Sequence, residues 1–235
     1  MEHSTPNIPA SKAVVNLHSS TSIVADARLS STAVWNALID TLTWPRWNTL
    51  VPRVTIRQQP QQQPSSQHPT SDDSQAGETE LSPILQLGTR MTFHVDMAAG
   101  ESSWKGKKAT GNDHPEKPQQ LQEVPLVITV FEPPDPATKK PGRIVWAGDS
   151  TAPGGFSPWL LRAERTHEIC DEEGDSSQDI RRVQVMTWEL QTGWLAYVVS
   201  WLYGRRLQAC FEAWVDNLKG FVENEVIREE VSRSI

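Results

Sequence analysis

The sequence predicts an α+β fold in which a curved antiparallel sheet of about seven strands wraps around one long helix. Three observations predict it: a strand followed by a short amphipathic helix, then six further strand patterns, and finally a long helical pattern. Strands and helices that are segregated along a chain favour an antiparallel sheet with the helices on one side. A curved sheet lifts away from the helix that it grips, so we also expect a hydrophobic cavity between them.

The first two elements precede residue 43. Residues 19–27 ("SSTSIVADA") alternate in the manner of a strand, with Ile23 and Ala25 on one side. Residues 30–42 begin with a serine suited to capping a helix and carry Val34, Trp35 and Leu38 at helical spacing. Pro45 then ends the helix.

Six further segments have the length and alternation of strands, namely 51–57, 88–97, 124–133, 142–148, 161–169 and 181–190. The pattern is clearest in 88–97, where Met91, Phe93 and Val95 alternate with the polar Thr92 and His94. One face of this strand should therefore be dry and the other wet, as in an antiparallel sheet that is covered on one side.

A long helix closes the chain over roughly 195–228. Leu207, Phe211, Trp214, Leu218 and Val222 recur at the spacing that places side chains on one helical face. Gly204 is the position at which this helix could bend near its start.

The chain has 235 residues, of which 37% are hydrophobic, which is enough for one domain with its own core. We expect a flexible tail over 1–12 and a single domain over 13–230. Two stretches rich in Gln, Pro, Ser and charge, at about 57–83 and 101–123, are predicted to be polar surface insertions.

Composition excludes several classes of function. A net charge of −7 and a pI near 5.4 argue against nucleic acid as a partner, because its phosphates require a basic face. Cys170 and Cys210 lie far apart, which predicts neither a disulfide framework nor a zinc site. "GKKATG" (106–111) lacks the order of a phosphate-binding loop. We therefore expect no metal and no cofactor.

The amino-terminal residues lack the charged start and apolar core of a secretory signal. The longest apolar run, 194–203, is about half of the ~20 residues that span a bilayer. These observations predict a cytoplasmic protein and leave its oligomeric state open.

Several phrases resemble the helix-grip superfamily, which includes START lipid-transfer domains and the polyketide cyclase/dehydrase group. They are the loop "WPRWNTLVP", the strands "RIVWAGD" and "RAERTHEI", the passage "VQVMTWELQTGWLA" and the helix "FEAWVDNLKGFVE". The resemblance covers most of residues 19–225 apart from the two insertions. It implies a helix-grip fold around an internal cavity, and it is unspecific for chemistry because this superfamily contains both cyclases and carriers.

The tryptophan loop has two interpretations. In the family that this chain resembles, the loop after the first helix forms part of the cavity mouth, so Trp44 and Trp47 would be partly exposed gate residues. Asn48 could then orient a ligand carbonyl. Alternatively, both indoles plug the end of the core.

Two strands near residue 170 carry the ionisable residues most suited to catalysis. Segments 161–169 and 181–190 should form a hairpin in which Glu189 faces Arg162 as a cross-strand charge pair. In that register His167 and Glu189 lie on the order of 15 Å apart, too far for a dyad. If His167 and Arg165 face inward, they supply one general base and one oxyanion-stabilising group. Otherwise His167 is a buried structural residue and Arg165 pairs with a surface acid.

Trp146, Trp188 and Trp214 are predicted to line the cavity, where indole faces suit a flat conjugated ligand. Ordinary core packing explains each of them singly.

Two functions follow from these patterns. The first is a cyclase or dehydratase that acts on a polyketide-like intermediate without a cofactor, by holding it in a reactive conformation. The second is a carrier of a lipid, quinone or sterol-like molecule. For a carrier, "GWLAYVVSWLYGRR" (193–206) could make transient contact with a membrane surface, although it could equally pack beneath the sheet. Either way the expected partner is a hydrophobic small molecule.

Overall fold

The computed structural model describes residues 3–25, 29–60, 81–97, 121–172 and 181–233, with side chains up to residue 228. The elements in these ranges are β1 (Val15–Ala25), α1 (Ser31–Ile39), β2 (Arg53–Gln58), β3 (Arg90–Val95), β4 (Gln122–Glu132), β5 (Gly142–Gly148), β6 (Arg162–Glu172), β7 (Arg181–Thr192) and α2 (Trp194–Arg233). The strands form one antiparallel sheet in the order β1-β7-β6-β5-β4-β3-β2. The predicted α+β architecture, with about seven strands and a long carboxy-terminal helix, is confirmed.

Helix α1 begins and ends for local reasons. Ser30 caps it, because its Oγ accepts a hydrogen bond from the Ala33 backbone N–H at 3.2 Å. The helix stops at Ile39, earlier than predicted, because Asp40 becomes extended and bridges to Ile84. Leu42, the last residue of the predicted helix, is exposed.

Strand β3 differs from the prediction on one face. Met91 and Phe93 are buried as expected, but His94 on the supposedly wet face is buried too. Its two ring nitrogens lie 3.0 Å from Arg53 Nη2 and 2.8 Å from Thr55 Oγ1, both on the neighbouring strand. Side chains of β2 therefore cover a position that alternation alone marks as solvated.

Helix α2 runs without interruption past Gly204, so this glycine does not break it. Its buried side packs onto the concave face of the sheet with four large residues: Phe211, Trp214, Leu218 and Val222. The main core lies between this helix, α1 and the sheet. None of the helices in the described ranges combines the length and apolar composition that are needed to cross a membrane.

The amino-terminal segment packs across the outer face of the sheet. Ile8 is buried against Trp188 and Leu190 of β7. Asn7 donates two hydrogen bonds to Glu164, from its backbone N–H at 3.0 Å and from Nδ2 at 2.7 Å. Residues around Ile8 therefore cover outward-facing apolar residues of β7. The expectation of a flexible tail over 1–12 stays a prediction.

Most of the two predicted insertions, residues 61–80 and 101–120, lies outside the described residues. The division into one domain with two polar insertions stays a prediction.

Candidate functional site

A cavity of about 320 Å³ separates the concave face of the sheet from the first half of α2. Its walls are mainly apolar and include Val51, Phe93, Leu126, Trp146, Leu161, Val199, Leu207 and Phe211. A few polar side chains, among them Arg165, Glu189 and Gln191, reach the same space. A mostly apolar pocket with a few convergent polar groups is typical of a small-molecule site.

Three of these lining residues form one row across neighbouring strands. Trp146 on β5 pairs with Arg165 on β6, and Arg165 pairs with Glu189 on β7. Side chains that are directly opposite each other in antiparallel strands have Cβ atoms about 4.5–5.5 Å apart. The pairing thus brings an indole, a guanidinium and a carboxyl group together on the cavity wall.

Aromatic rings surround the guanidinium of Arg165. Its Cζ lies 3.9 Å from the centre of the Phe211 ring and 4.9 Å from that of Trp214. Nε donates to Thr187 Oγ1 at 3.2 Å, whereas no residue in the described ranges accepts a hydrogen bond from Nη2. Burial lowers the pKa of the guanidinium to about 10, against the opposing effect of Glu189. The side chain therefore stays a cation at neutral pH and keeps the N–H groups of Nη2 for a ligand.

Glu189 shares the cavity with this cation without bonding to it. Its Oε1 accepts a hydrogen bond from Gln191 Nε2, and within the described residues no salt bridge joins it to Arg165. Burial raises the pKa of the Glu189 carboxyl, although the charge of Arg165 and the bond from Gln191 oppose that shift. A raised pKa makes a carboxylate a stronger base, which suits it to accept a proton from a ligand and to return it.

His167 occupies the next row, beyond the cavity. It is fully buried between the rings of Trp146 and Trp214, at centroid distances of 4.2 and 4.4 Å. In the described part of the chain neither ring nitrogen has a hydrogen-bond partner. Burial and the nearby Arg165 hold the pKa of the imidazole well below its ordinary value. His167 faces inward, as one alternative expected, but it is not among the residues that line the cavity.

The β6–β7 register also differs from the predicted one. Glu189 pairs with Arg165, three residues further along β6 than Arg162, and His167 pairs with Thr187. His167 and Glu189 are thus diagonal neighbours, a relationship that corresponds to about 7–8 Å. The predicted separation on the order of 15 Å was wrong, since it relied on the incorrect register.

Trp44, Trp47 and Asn48 close the end of the core and do not line the cavity. Trp44 Nε1 donates to the Leu38 carbonyl at 3.1 Å, and the Trp47 ring meets Trp214 edge-on at 5.6 Å. Asn48 Oδ1 accepts from the Val51 N–H at 2.9 Å. All three are buried, so the expectation of partly exposed gate residues is corrected.

The three remaining tryptophans separate in space. Trp146 lines the cavity, and Trp214 lies behind it, against Arg165 and His167. Trp188 lies on the opposite face of the sheet, where its Nε1 donates to the Ser4 carbonyl at 3.3 Å. The expectation that Trp188 lines the cavity was wrong.

Sequence reasoning missed Glu189, Gln191 and Phe211 as cavity residues. Alternation places Trp188 and Glu189 on opposite faces of β7, because adjacent residues on a strand face opposite sides. The packing of both sheet faces decides which of the two points inward.

A charged cluster borders the cavity at Asp149. This buried carboxylate accepts hydrogen bonds from Arg57 Nη2 at 2.8 Å and from Arg90 Nη1 at 2.6 Å. Although burial alone would raise the pKa of Asp149, its hydrogen bonds to the two arginines and Thr151 hold that pKa well below its ordinary value. With its acceptor capacity taken up by these donors, Asp149 acts as a structural clamp at the rim.

Comparison with known proteins gives one similar sequence and several similar folds. The chain is 39% identical over 226 residues, 96% of its own length and 95% of the relative's, to the oxopyrrolidines biosynthesis cluster protein O of Penicillium oxalicum. No family model matches it.

Among solved structures, a hypothetical protein of Helicobacter pylori is similar with a TM-score of 0.53 and 16% identity, covering 94% of this chain and 97% of that one. The Zhui aromatase/cyclase from Streptomyces is more distant, with a TM-score of 0.44 and 12% identity over 90% of this chain and 94% of that one. The fold, a seven-stranded antiparallel sheet that grips a long carboxy-terminal helix, is of the helix-grip type.

Proposed function

Because the chain belongs to the same family as the oxopyrrolidines biosynthesis cluster protein O of Penicillium oxalicum, we propose that it acts in the biosynthesis of a small molecule. Its substrate is a hydrophobic, conjugated carbonyl compound of polyketide-like character, bound in the cavity between the sheet and α2. The reaction is a ring closure followed by loss of water, and it uses no cofactor. The observation that carries this proposal is the row of Trp146, Arg165 and Glu189 on the cavity wall.

Arg165 is the anchor for the ligand. Its Nη2 has no acceptor among the described residues, and aromatic rings lie on either side of the guanidinium. A buried cation of this kind favours an oxygen that carries negative charge, such as an enolate or a carboxylate. Trp146 and Phe211, which flank the guanidinium, suit the flat face of a conjugated ligand.

Glu189 is the proton-transfer group. As a carboxylate it removes a proton from the carbon next to a ligand carbonyl, and the resulting enolate attacks a second carbonyl to form the ring bond. Arg165 stabilises the oxyanion at each stage. The protonated carboxyl then returns its proton to the new alkoxide, which becomes a hydroxyl group. Glu189 next removes a second proton from the same carbon and delivers it to that hydroxyl, which leaves as water while the carbon–carbon double bond forms. No electrons are gained or lost overall, so the sequence of steps needs no oxidant or reductant.

His167 is excluded as the base in this proposal because it is fully buried and does not line the cavity. It serves instead as packing between Trp146 and Trp214 and so positions the wall against which the ligand lies.

Native mass spectrometry of the purified protein after incubation with a metabolite extract of Penicillium oxalicum tests the proposal. Wild type should release a product lighter than its bound precursor by one water. Glu189→Gln should retain the precursor unchanged, because the amide cannot transfer the proton. Arg165→Met should bind it at least about 100-fold more weakly, the loss expected for a buried charge-assisted contact.

Arg162→Met is the matched control, since Arg162 is an exposed arginine three residues away on the same strand. A ligand that wild type and Glu189→Gln carry equally and release unchanged would contradict catalysis and identify the protein as a carrier. Equal binding by Arg165→Met and wild type would contradict the anchor.

A further inference from the structure

The start of α2 and the loop before β6 carry large apolar side chains that no other described residue covers. We call this surface the aromatic face; its members are Trp159, Trp194, Tyr197, Trp201 and Leu202. Trp201 is 84% exposed, Trp159 74% and Trp194 66%. Apolar patches of this kind on a protein surface usually mark a site of interaction.

The aromatic face is held in place by the fold. The backbone N–H groups of Trp194 and Leu195 donate to the carbonyls of Trp159 and Leu160 at 3.4 and 2.8 Å, which joins the loop to the helix. At 3.6 residues per turn, Trp194, Tyr197 and Trp201 share one side of α2. The opposite side carries the cavity residues Tyr203, Leu207 and Phe211. The exposed aromatic rings are therefore not needed to close the cavity.

The two segments that form the aromatic face carry charge of the opposite sign to that of the whole chain. Residues 150–161 contain no charged side chain, and residues 194–211 contain Arg205 and Arg206 but no Asp or Glu. The complete chain has a net charge of −7. Arg205 is exposed and lies one turn after Trp201 on the same side of the helix. Arg205 therefore places a positive charge beside the exposed rings.

We propose that the aromatic face docks on the surface of an anionic lipid bilayer. Trp and Tyr favour the boundary between lipid headgroups and acyl chains, and arginines beside them attract anionic headgroups. A lipid bilayer can deform around the indole rings that protrude from this side of α2. A protein partner would instead need a matching pocket for each ring. A second copy of the chain would bring the same positive charge against itself.

Docking through the aromatic face would bring the bilayer close to the cavity. Phe156 and Tyr203 line the cavity and are themselves partly exposed, close in sequence to the aromatic face. A hydrophobic ligand could therefore pass between bilayer and cavity with little exposure to water. The proposal does not depend on the chemistry inside the cavity, because docking is measured without a ligand.

Flotation of the full chain with vesicles tests the proposal. Mixed phosphatidylcholine and phosphatidylserine vesicles should bind the protein and shift its tryptophan emission to shorter wavelength. The double variant Trp194→Ser and Trp201→Ser should lower the apparent affinity by about tenfold or more. Arg205→Gln should lower it about fivefold on the mixed vesicles and leave it unchanged on pure phosphatidylcholine.

Leu42→Ser is the matched control, since Leu42 is 71% exposed in a loop on another part of the chain. It should bind vesicles as wild type does. Failure of the full chain to float with mixed vesicles would overturn the proposal. An equal loss of vesicle binding in Leu42→Ser would also overturn it. So would sedimentation that shows a dimer for wild type and a monomer for the double variant, with vesicle binding the same for both.

Discussion

Arg165 and Glu189 are direct partners across β6 and β7, yet their charged groups turn toward other neighbours. Arg165 Nε donates to Thr187, and Glu189 accepts from Gln191. Arg165 is buried and Glu189 is half-buried, and neither has the compensation of a close ion pair, which is unfavourable for the free protein. Such an arrangement is expected where a site keeps its charges for a ligand rather than for the fold.

Replacing Glu189 by Gln should stabilise the protein at neutral pH. Folding raises the pKa of this carboxyl, mainly through burial, so the folded state holds its proton more tightly than the unfolded state does. The contribution of the protonated Glu189 carboxyl to stability is therefore complete at pH values below its pKa in the unfolded state. It is lost as pH rises through its pKa in the folded state. The difference between Glu189→Gln and wild type should grow over that window by at most about 1.4 kcal/mol per pH unit.

Urea denaturation at several pH values measures this difference. The same change at the exposed Asp216, Asp216→Asn, is the control and should show no such growth. A constant difference between Glu189→Gln and wild type from acid to neutral pH would contradict the assignment.

Replacing His167 by Phe should make the protein less sensitive to acid. Folding depresses the pKa of this imidazole through burial and the charge of Arg165, so the unfolded state takes up the proton first. The neutral imidazole contributes its full stability at pH values above its ordinary pKa of 6.5, and this contribution is lost as pH falls below that value. Wild type should lose about 1.4 kcal/mol per pH unit from this residue, and His167→Phe should not.

The comparison between two pH values cancels any change in packing that the larger ring causes. His18→Phe is the control, because that exposed histidine is shifted less by burial. An unchanged acid slope in His167→Phe would argue against a neutral buried imidazole.

Replacing Asp149 by Asn should destabilise the rim of the cavity. The carboxylate is the shared partner of Arg57 and Arg90, and its replacement by an amide removes the negative charge that both cations face. The cations keep only neutral acceptors, the Met91 and Leu126 carbonyls and Thr151 Oγ1. We expect a loss of about 2–4 kcal/mol at neutral pH, near the low end for a buried pair because both arginines keep some contact with water. The pKa of Asp149 is lowered on folding, so this loss should shrink as pH falls below the ordinary value of 3.8.

Glu132→Gln is the control for Asp149, because its pair with Lys140 is exposed and 4.0 Å long. It should cost no more than about 0.5 kcal/mol. A loss for Asp149→Asn as small as that of the control would show that the rim does not depend on this ion cluster.

Replacing Ile8 by Ala should cost about 2–5 kcal/mol, as expected for a buried aliphatic residue. Ile8 covers Trp188 and Leu190 on the outer face of the sheet. Thermal unfolding measures the loss, with the exposed Ile227→Ala as control. If both variants melt alike, the amino-terminal segment is not anchored in solution.

Much of the fold was predictable because its signals are local. Alternation located every strand to within four residues at each end, and the serine cap marked the start of α1. The site was less predictable. His167 and Arg165 were expected to share a face, and they do, but the same reasoning placed Trp188 inside and paired Glu189 with Arg162.

The sequence by itself determined which residues of a strand share a side, since successive side chains must alternate. It also determined that a long amphipathic helix closes the chain. Only the tertiary structure decided which side meets that helix and which residues stand opposite each other across β6 and β7. The physical reason is that register depends on pairing between strands and on the packing of both sheet faces, here by α2 inside and by Ile8 outside. A shift of three residues was enough to move Glu189 from a surface pair into the cavity.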